Sequence, residues 1–423
     1  MKRKLEFPSG VRRALSAVLF TAPFLFAAGL SANVVTDWNT MASTTIVKNG
    51  GVSPGASSVY FAYMSIAVYD AVNAITGQYR PFYYTIEGPT DASVDAAAAA
   101  AAHRVLVNYY PAQQPALDAQ LATSLAGITS GTTRDEGVAV GEAAAAALIS
   151  ARIGDGVAAN VVYTPGSGPG AWIPTPPAFA PPVTPWLGAM RPFTMTSASQ
   201  FLPDPPPALT SDTFMRDYTL TRFWGGVNTV LRFSNETEIG LFWTEHTGQQ
   251  YARTFNYLVQ NYQLSTADSA RLMAMLWTGY ADAAIGCFNG KYKYGFWRPV
   301  TAIEAGGSSS LTADPTWMPI AATPAHPEYP AAHGCITGSV SSLIASYFGR
   351  TAVHIVTDST VFTDSVHQHV FEDTRDLMDE VFWARIYAGF HFHHSLEIGR
   401  GLGESVASQI AAEHFRPEHP ARQ

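Results

Sequence analysis

Cysteine and charge are the scarce ingredients of this sequence. Cys287 and Cys335 are the only cysteines in 423 residues, so neither a disulfide framework nor a multi-cysteine metal site organises the fold. A single Cys287–Cys335 bridge stays open, because sequence alone does not bring two Cα atoms within about 7 Å. Charged residues make up 14% of the chain against 47% apolar ones, which excludes a disordered chain and leaves material for a large core. Beyond the N-terminus there is no long apolar run, so the pattern is not that of an integral membrane protein. A basic surplus is missing too: 25 Lys+Arg face 33 Asp+Glu, and no basic groove suits general nucleic-acid binding. Strand signals are sparse, and no repeat of 20–50 residues is evident. No HExxH motif or Cys/His pair at zinc spacing occurs, which weighs against zinc at His367/His369 or His393/His394.

The one apolar run lies at the start. Lys2, Arg3, Lys4, Arg12 and Arg13 precede ALSAVLFTAPFLFAAGLSA, which ends in small residues. Residues 1–32 therefore read as a secretory signal peptide with cleavage near Gly29 or Ala32, and Pro23 argues against an uncleaved anchor. Secretion or export to a periplasm is the expectation. Without that segment the chain carries 20 basic and 32 acidic residues, a net charge of −12. Any anion site must then be built locally, against the overall field.

Helical signals dominate the remainder, and residues 33–423 are expected to form one all-α domain made of two helix bundles. In its N-terminal half, about 33–164, helices are expected near 57–75, 95–109 and 135–153, packed through small residues. Thirteen of the 28 prolines lie between Pro165 and Pro207, interspersed with Trp172, Phe179, Trp186 and Phe193. So many large rings predict an ordered, extended strap over about 165–208 rather than a flexible linker. In the C-terminal bundle, about 209–423, helices are expected near 213–231, 235–261, 266–290, 333–348, 371–389 and 396–414, some with Ser/Thr caps such as Ser265.

Three stretches carry candidate chemistry. In KYKYGFWRPV (291–300), Lys291 and Arg298 are seven residues apart, two helical turns, which would set them on one helix face. Pro299 disfavours helical geometry at Arg298, so the helix should end there. Beside Phe296 and Trp297 the two cations suit a partly desolvated anion site; alone, the stretch also reads as a solvated face with long stems over aromatic rings. In HPEYPAAHGC (326–335), Pro330 is expected to start a helix whose first N–H groups, flanked by Ala331 and Ala332, are accessible to an anion, with His333 in the first turn. An ordinary helix start with a surface histidine fits the same residues. In ARIYAGFHFHHS (384–395), Arg385 and His391 converge only if the helix bends or ends near Gly389, which glycine permits.

Taken together, Lys291-x6-Arg298-Pro299, Pro330-Ala331-Ala332-His333 and Ala384-Arg385-x3-Gly389-x-His391-x3-Ser395 resemble the pattern K-x6-R-P, P-S-G-H, S-R-x3-G-x-H-x3-D. That pattern is shared by vanadium-dependent haloperoxidases and the acid phosphatases of the type-2 phosphatidic acid phosphatase superfamily. The five charged or ligating positions are kept in order across about 100 residues. ADAAIGCFNGKYKYGFWRPVTAI and the long N-terminal half are similar to the haloperoxidase branch, and the likeness extends over most of residues 33–414.

The resemblance implies a site for vanadate, or for phosphate in a phosphatase. Lys291, Arg298, Arg385 and the amide near Ala332 would hold the equatorial oxygens by charge-assisted bonds. His391 would be the vanadium ligand and His333 the acid–base group. Bound vanadate would act as a Lewis acid on hydrogen peroxide, which oxidises halide to hypohalous acid. An organic acceptor, a homo-oligomer and an exported location are left open or implied; nucleic acid and stable membrane association are not expected. Phe288 and His326 match the halide side, where His326 favours bromide or iodide. Asp282 could pair with Arg298 or serve as structural support, the latter preferred. Three departures stand out: Ala331 for serine, Ala332 for glycine, and Ser395 for aspartate. The last weakens the alternative of an exported acid phosphatase with a phosphohistidine on His391, whose histidine that aspartate would orient. A catalytically inactive oxyanion-binding relative is the third reading.

Overall fold

The computed structural model describes residues 33–418 apart from 309 and 366; the proposed signal segment, 1–32, lies outside the described residues. The chain begins with α1 (Val34–Ala42), a π-helical turn (Ser43–Asn49) and α2 (Pro54–Thr76). Then follow α3 (Val94–Tyr109), α4 (Gln114–Ala126) and α5 (Thr132–Ala151). Of these, α1, the π turn and α4 were not expected from the sequence. The alanines of α3, Ala96 to Ala102, are all buried, so this helix runs through the middle of its layer, against α2 and α5. Gly141 of α5 comes so near this run that a Cβ there would meet Ala97 O at 2.3 Å, so a stretch that looks like low complexity is close-packed structure.

After Pro165 comes the strap, whose only helical piece is a 3-10 turn at Pro185–Ala189. It is held at several points. Trp172 is buried and its N–H donates to Gly295 O at 2.7 Å. Asp282, buried on the helix Thr266–Tyr294, accepts the N–H groups of Phe193 and Thr194 at 2.7 Å each. Asp282 therefore anchors the strap rather than pairing with Arg298. Phe179 departs from the expected packing, being exposed.

The C-terminal part comprises α6 (Asp212–Gly225), α7 (Ser234–Phe242), α8 (Thr247–Asn261), α9 (Thr266–Tyr294), α10 (Pro299–Ala305), α11 (Ala332–Phe348), α12 (Thr374–Tyr387) and α13 (His393–Glu413). One antiparallel hairpin, β1 (Ile355–Ser359) with β2 (His367–Phe371), interrupts it. Helices α11 and α13 pack closely, with α9 and α12 alongside. At their crossing Gly403 comes so near α11 that a Cβ there would meet Cys335 O at 2.0 Å. The two halves share one apolar core: Phe61 of α2 stacks on Trp277 of α9 with centroids 4.0 Å apart. The architecture is all-α, as expected.

Several boundaries differ from expectation. The single helix foreseen over 235–261 is two, broken at Trp243–His246, a stretch with neither glycine nor proline. Tertiary bonds hold the break: Trp243 Nε1 donates to Glu380 Oε1 at 2.9 Å, and Trp243 O accepts from Arg385. Helix α6 stops at Gly225, short of residue 231, and α12 starts at Thr374 rather than near 371, because Phe371 ends strand β2. Among the described residues, no helix is long and apolar enough to cross a membrane.

Candidate active site

Helix α9 ends at Tyr294, where Gly295 takes a left-handed conformation (φ 56°). Arg298 is extended (φ −82°, ψ 157°) and precedes α10, which starts at Pro299. The expected shared helix face of Lys291 and Arg298 is thus wrong. They converge because the chain reverses at Gly295, not because two turns separate them. Lys291 sits in the last turn of α9, where a cation suits the exposed carbonyls.

Both are fully buried and bound to backbone. Lys291 Nζ donates to Pro327 O (2.8 Å) and Glu328 O (2.9 Å). Arg298 donates to the carbonyls of His326 (2.9 Å), Phe390 (3.0 Å) and Pro324 (3.1 Å), to His326 Nδ1 (3.0 Å) and to His391 Nε2 (3.3 Å). Segment 324–328 is therefore tied to α9 and to the 390–391 turn by two cations.

Helix α12 ends at Tyr387, and Gly389 follows at φ 75°. A side chain at that conformation is strained, and a Cβ would also meet Gly225 O at 2.6 Å. This turn is what brings Arg385 and His391 together, as the glycine suggested. Arg385 is buried; NH1 donates to Trp243 O at 2.6 Å, its guanidinium lies 4.7 Å over the Phe390 ring, and Nε has no partner. Among the described residues, no carboxylate contacts it.

Helix α11 begins at Ala332, with Ala331 as its extended N-cap, two residues later than the start expected at Pro330. The Ala331 N–H donates to Ser395 O at 3.1 Å, so Pro330 and Ala331 belong to the approach, fixed by α13. The first-turn N–H groups of α11 have no intrahelical acceptor. His333 lies in this turn with Nε2 buried and unpartnered.

A cavity of about 250 Å³ collects Phe288, His326, Ala332, His333, Arg385 and His391 on its wall. Ser53–Gly55 at the start of α2 and Val183 of the strap close it from the other half. Lys291 and Arg298 are not on the wall; they lie behind it, bound to the carbonyls already named. Phe288 and His326 have ring centroids 5.2 Å apart. Cys287 and Cys335 are free buried thiols, and Cys287 Sγ donates to Pro330 O at 3.5 Å; the bridge left open by the sequence is not formed. His367 and His369 lie elsewhere, bound to Glu238 and Glu380.

One residue of the site was missed. Glu328 is fully buried; Oε1 receives His391 Nδ1 at 2.8 Å and the Phe392 N–H at 3.1 Å. Nothing in the sequence singled it out, since it lies 63 positions from His391. Its signal was only an acidic residue in a stretch otherwise matched to an anion site. The His391 tautomer follows from both sides of the ring. Arg298 can only donate, so Nε2 carries the lone pair and Nδ1 the hydrogen given to Glu328.

Electrostatics reflect three cations and one carboxylate in a dry place. Desolvation lowers Lys291 to about 8, Arg298 to about 10 and Arg385 to about 9. Burial pushes Glu328 up to about 7, with Lys291 opposing it. Desolvation and the neighbouring cations hold His326, His333 and His391 well below the ordinary histidine range. The ring nitrogens of the site are neutral, and the surrounding field is strongly positive.

A cluster of buried cations short of counter-charge, with a neutral histidine nitrogen among them, is suited to a multiply charged oxyanion. Residues 271–417 match the family described as the VCPO second helical-bundle domain. The C-terminal bundle of this chain thus matches a helical-bundle domain of vanadium haloperoxidases. It is 25% identical over 198 residues to the vanadium chloroperoxidase of Curvularia inaequalis, a match covering 39% of this chain and 32% of that relative's length. In structure it resembles a bacterial vanadium-dependent iodoperoxidase: TM-score 0.79, 22% identity, 92% of this chain and 97% of that one covered. A holo-type bacterial vanadium-dependent chloroperoxidase is similar at TM-score 0.69 and 17% identity, covering 87% and 93%. Likeness at these identities shows that the helical haloperoxidase fold is shared.

Proposed function

We propose that this chain is a vanadate-dependent haloperoxidase that oxidises halide, bromide or iodide first, with hydrogen peroxide. One observation carries the reading: among the described residues, Lys291, Arg298 and Arg385 are buried together with Glu328 as the carboxylate at the site, and Arg385 Nε is unpartnered. Uncompensated buried cations are costly, so the arrangement makes sense only with an anion in it. The donor set fits vanadate. His391 lies on the cavity wall with its neutral lone pair on Nε2, which Arg298 NH1 meets at 3.3 Å and would have to release to the metal. Arg385 and the first-turn amides of α11 offer N–H groups, and Lys291 and Arg298 supply charge from behind. Vanadate supplies Lewis acidity toward peroxide when bound.

The chain's own residues do the rest. His333, on the wall with a free Nε2, can move a proton at the cavity centre. Burial first and the neighbouring cations second depress its basicity, and a bound anion would offset the second of these. Phe288, Val183 and Ile336 make much of the wall apolar and exclude water. His326 is held by Arg298 as a neutral ring at the halide side. The similarity to a protein described as an iodoperoxidase adds iodide to the first tests. Export is part of the proposal, from the character of residues 1–32.

An acid phosphatase is the second reading, and Glu328 favours it more than the sequence did. The aspartate missing at position 395 is matched by a carboxylate on His391 Nδ1, which is what a nucleophilic histidine requires. The deciding experiment is bromide and iodide oxidation by peroxide, with protein freed of metal and then given orthovanadate. Activity that depends on vanadate and vanishes in His391→Ala supports the proposal. No oxidation of either halide at any pH, together with vanadate-inhibited hydrolysis of phosphate esters, moves the assignment to the phosphatase.

A further inference from the structure

We infer that Glu328 is the positioning residue for His391, and that Ser395 is small because the carboxylate reaches the ring from residue 328. The inference rests on the oxyanion-site reading above. Three observations carry it. Glu328 Oε1 takes both the His391 Nδ1 hydrogen and the adjoining Phe392 N–H, so one carboxylate oxygen fixes the ring and the backbone beside it. The backbone carbonyl of Glu328 takes Lys291 Nζ at 2.9 Å, so the same residue joins ligand histidine and cage lysine. Its other oxygen, Oε2, is buried close to the hydroxyl of Ser395, and neither atom makes a hydrogen bond of ordinary geometry.

Those two atoms are neighbours around a small cavity of about 10 Å³, lined by Glu328, Ser395, Phe392 and Tyr329 among others. Ser395 lies in the first turn of α13, four residues beyond His391. A carboxylate at 395 would enter the space that Glu328 now fills, so the two positions are alternatives for one group. With Glu328 present, a longer residue at 395 would bring two carboxylates together. Without Glu328, Nδ1 has no acceptor, and only the long 3.3 Å contact from Arg298 NH1 to Nε2 still bears on the tautomer and ring angle. The role is positional: Glu328 touches no cavity-wall space of its own and acts through His391.

The test compares wild type, Glu328→Ala and the double variant Glu328→Ala/Ser395→Asp. ¹⁵N-histidine NMR on ligand-free protein reads the His391 tautomer, and equilibrium dialysis reads orthovanadate affinity. Wild type is expected to show the hydrogen on Nδ1 alone. Glu328→Ala should give a tautomer mixture and lose about 10- to 100-fold in affinity, the usual effect of removing such a partner. The double variant should regain the Nδ1 hydrogen and most of the affinity. If Glu328→Ala lowers the melting temperature but leaves tautomer and affinity unchanged, the inference is wrong. A folded double variant with a mixed tautomer overturns it too. Should Glu328→Ala not fold, Glu328→Ser, which also vacates the space and removes the carboxylate, and its combination with Ser395→Asp make the same comparison: affinity lost by about tenfold, then regained. Tautomers that behave as expected in a wild type that binds no orthovanadate would leave the positioning role standing and remove the haloperoxidase reading.

Discussion

Arg385 is a buried cation whose only hydrogen bond goes to a carbonyl, and its removal should separate stability from binding. In Arg385→Gln the ligand-free protein loses an uncompensated charge, so its melting temperature should stay level or rise. Orthovanadate and phosphate affinity should fall at least tenfold, measured by dialysis, because a charge-assisted donor is gone. Lys291 makes the pH dependence explicit. Its folded-state pKa, about 8, lies below the ordinary 10.5. Between those values the unfolded chain binds more protons, so ligand-free stability rises with pH across about 8 to 10.5, and the penalty is fully present below 8. An anion that needs the ammonium charged does the reverse. The melting-temperature gain from saturating orthovanadate should be largest below pH 8 and shrink above it. A gain that grows through that interval would contradict the placement of Lys291 in the cage.

Elements are positioned here by close backbone approach. The α11–α13 crossing carries His333 on one helix and fixes Ala331 through the other. A Cβ at Gly403 would stand 2.0 Å from Cys335 O, a backbone atom that cannot swing aside. Gly403→Ala should therefore cost roughly 1–3 kcal/mol by thermal or denaturant unfolding, as overpacking does. Its effect on anion affinity should exceed that of a surface substitution on α13, because the start of α11 must move. At Gly389 two constraints coincide, positive φ and contact with Gly225 O. Gly389→Ala should lower both stability and vanadate affinity, since the turn sets the relation of Arg385 to His391.

Across the whole molecule the N-terminal half is a wall of the site as well as a partner of the core. Ser53–Gly55 and Val183 close a cavity whose chemistry comes from beyond residue 288, while Phe61 and Trp277 join the halves in one apolar cluster. Unfolding of residues 33–423 should accordingly be one cooperative calorimetric transition, shifted as a unit by orthovanadate, by about 2.7 kcal/mol at a hundredfold excess over Kd. Two separate transitions, only one of them ligand-sensitive, would show that the shared core does not couple the halves.

Much of this was legible in the residues. Helix content followed from small-residue and apolar periodicity, and the ordered strap from large rings among its prolines. The meeting of Arg385 with His391 was foreshadowed by Gly389, because glycine's conformational freedom is a local property. Boundaries set by remote partners were not legible: the break at Trp243 depends on Glu380 and Arg385. The route by which Lys291 meets Arg298 was misread as helical spacing when a reversal at Gly295 does it. Sequence by itself determined which groups are available, three cations and two histidines with one glycine to turn the chain. Only the tertiary structure decided that Glu328 serves His391 and Asp282 serves the strap, because a hydrogen-bond partner is chosen by distance in space and leaves no trace in separation along the chain.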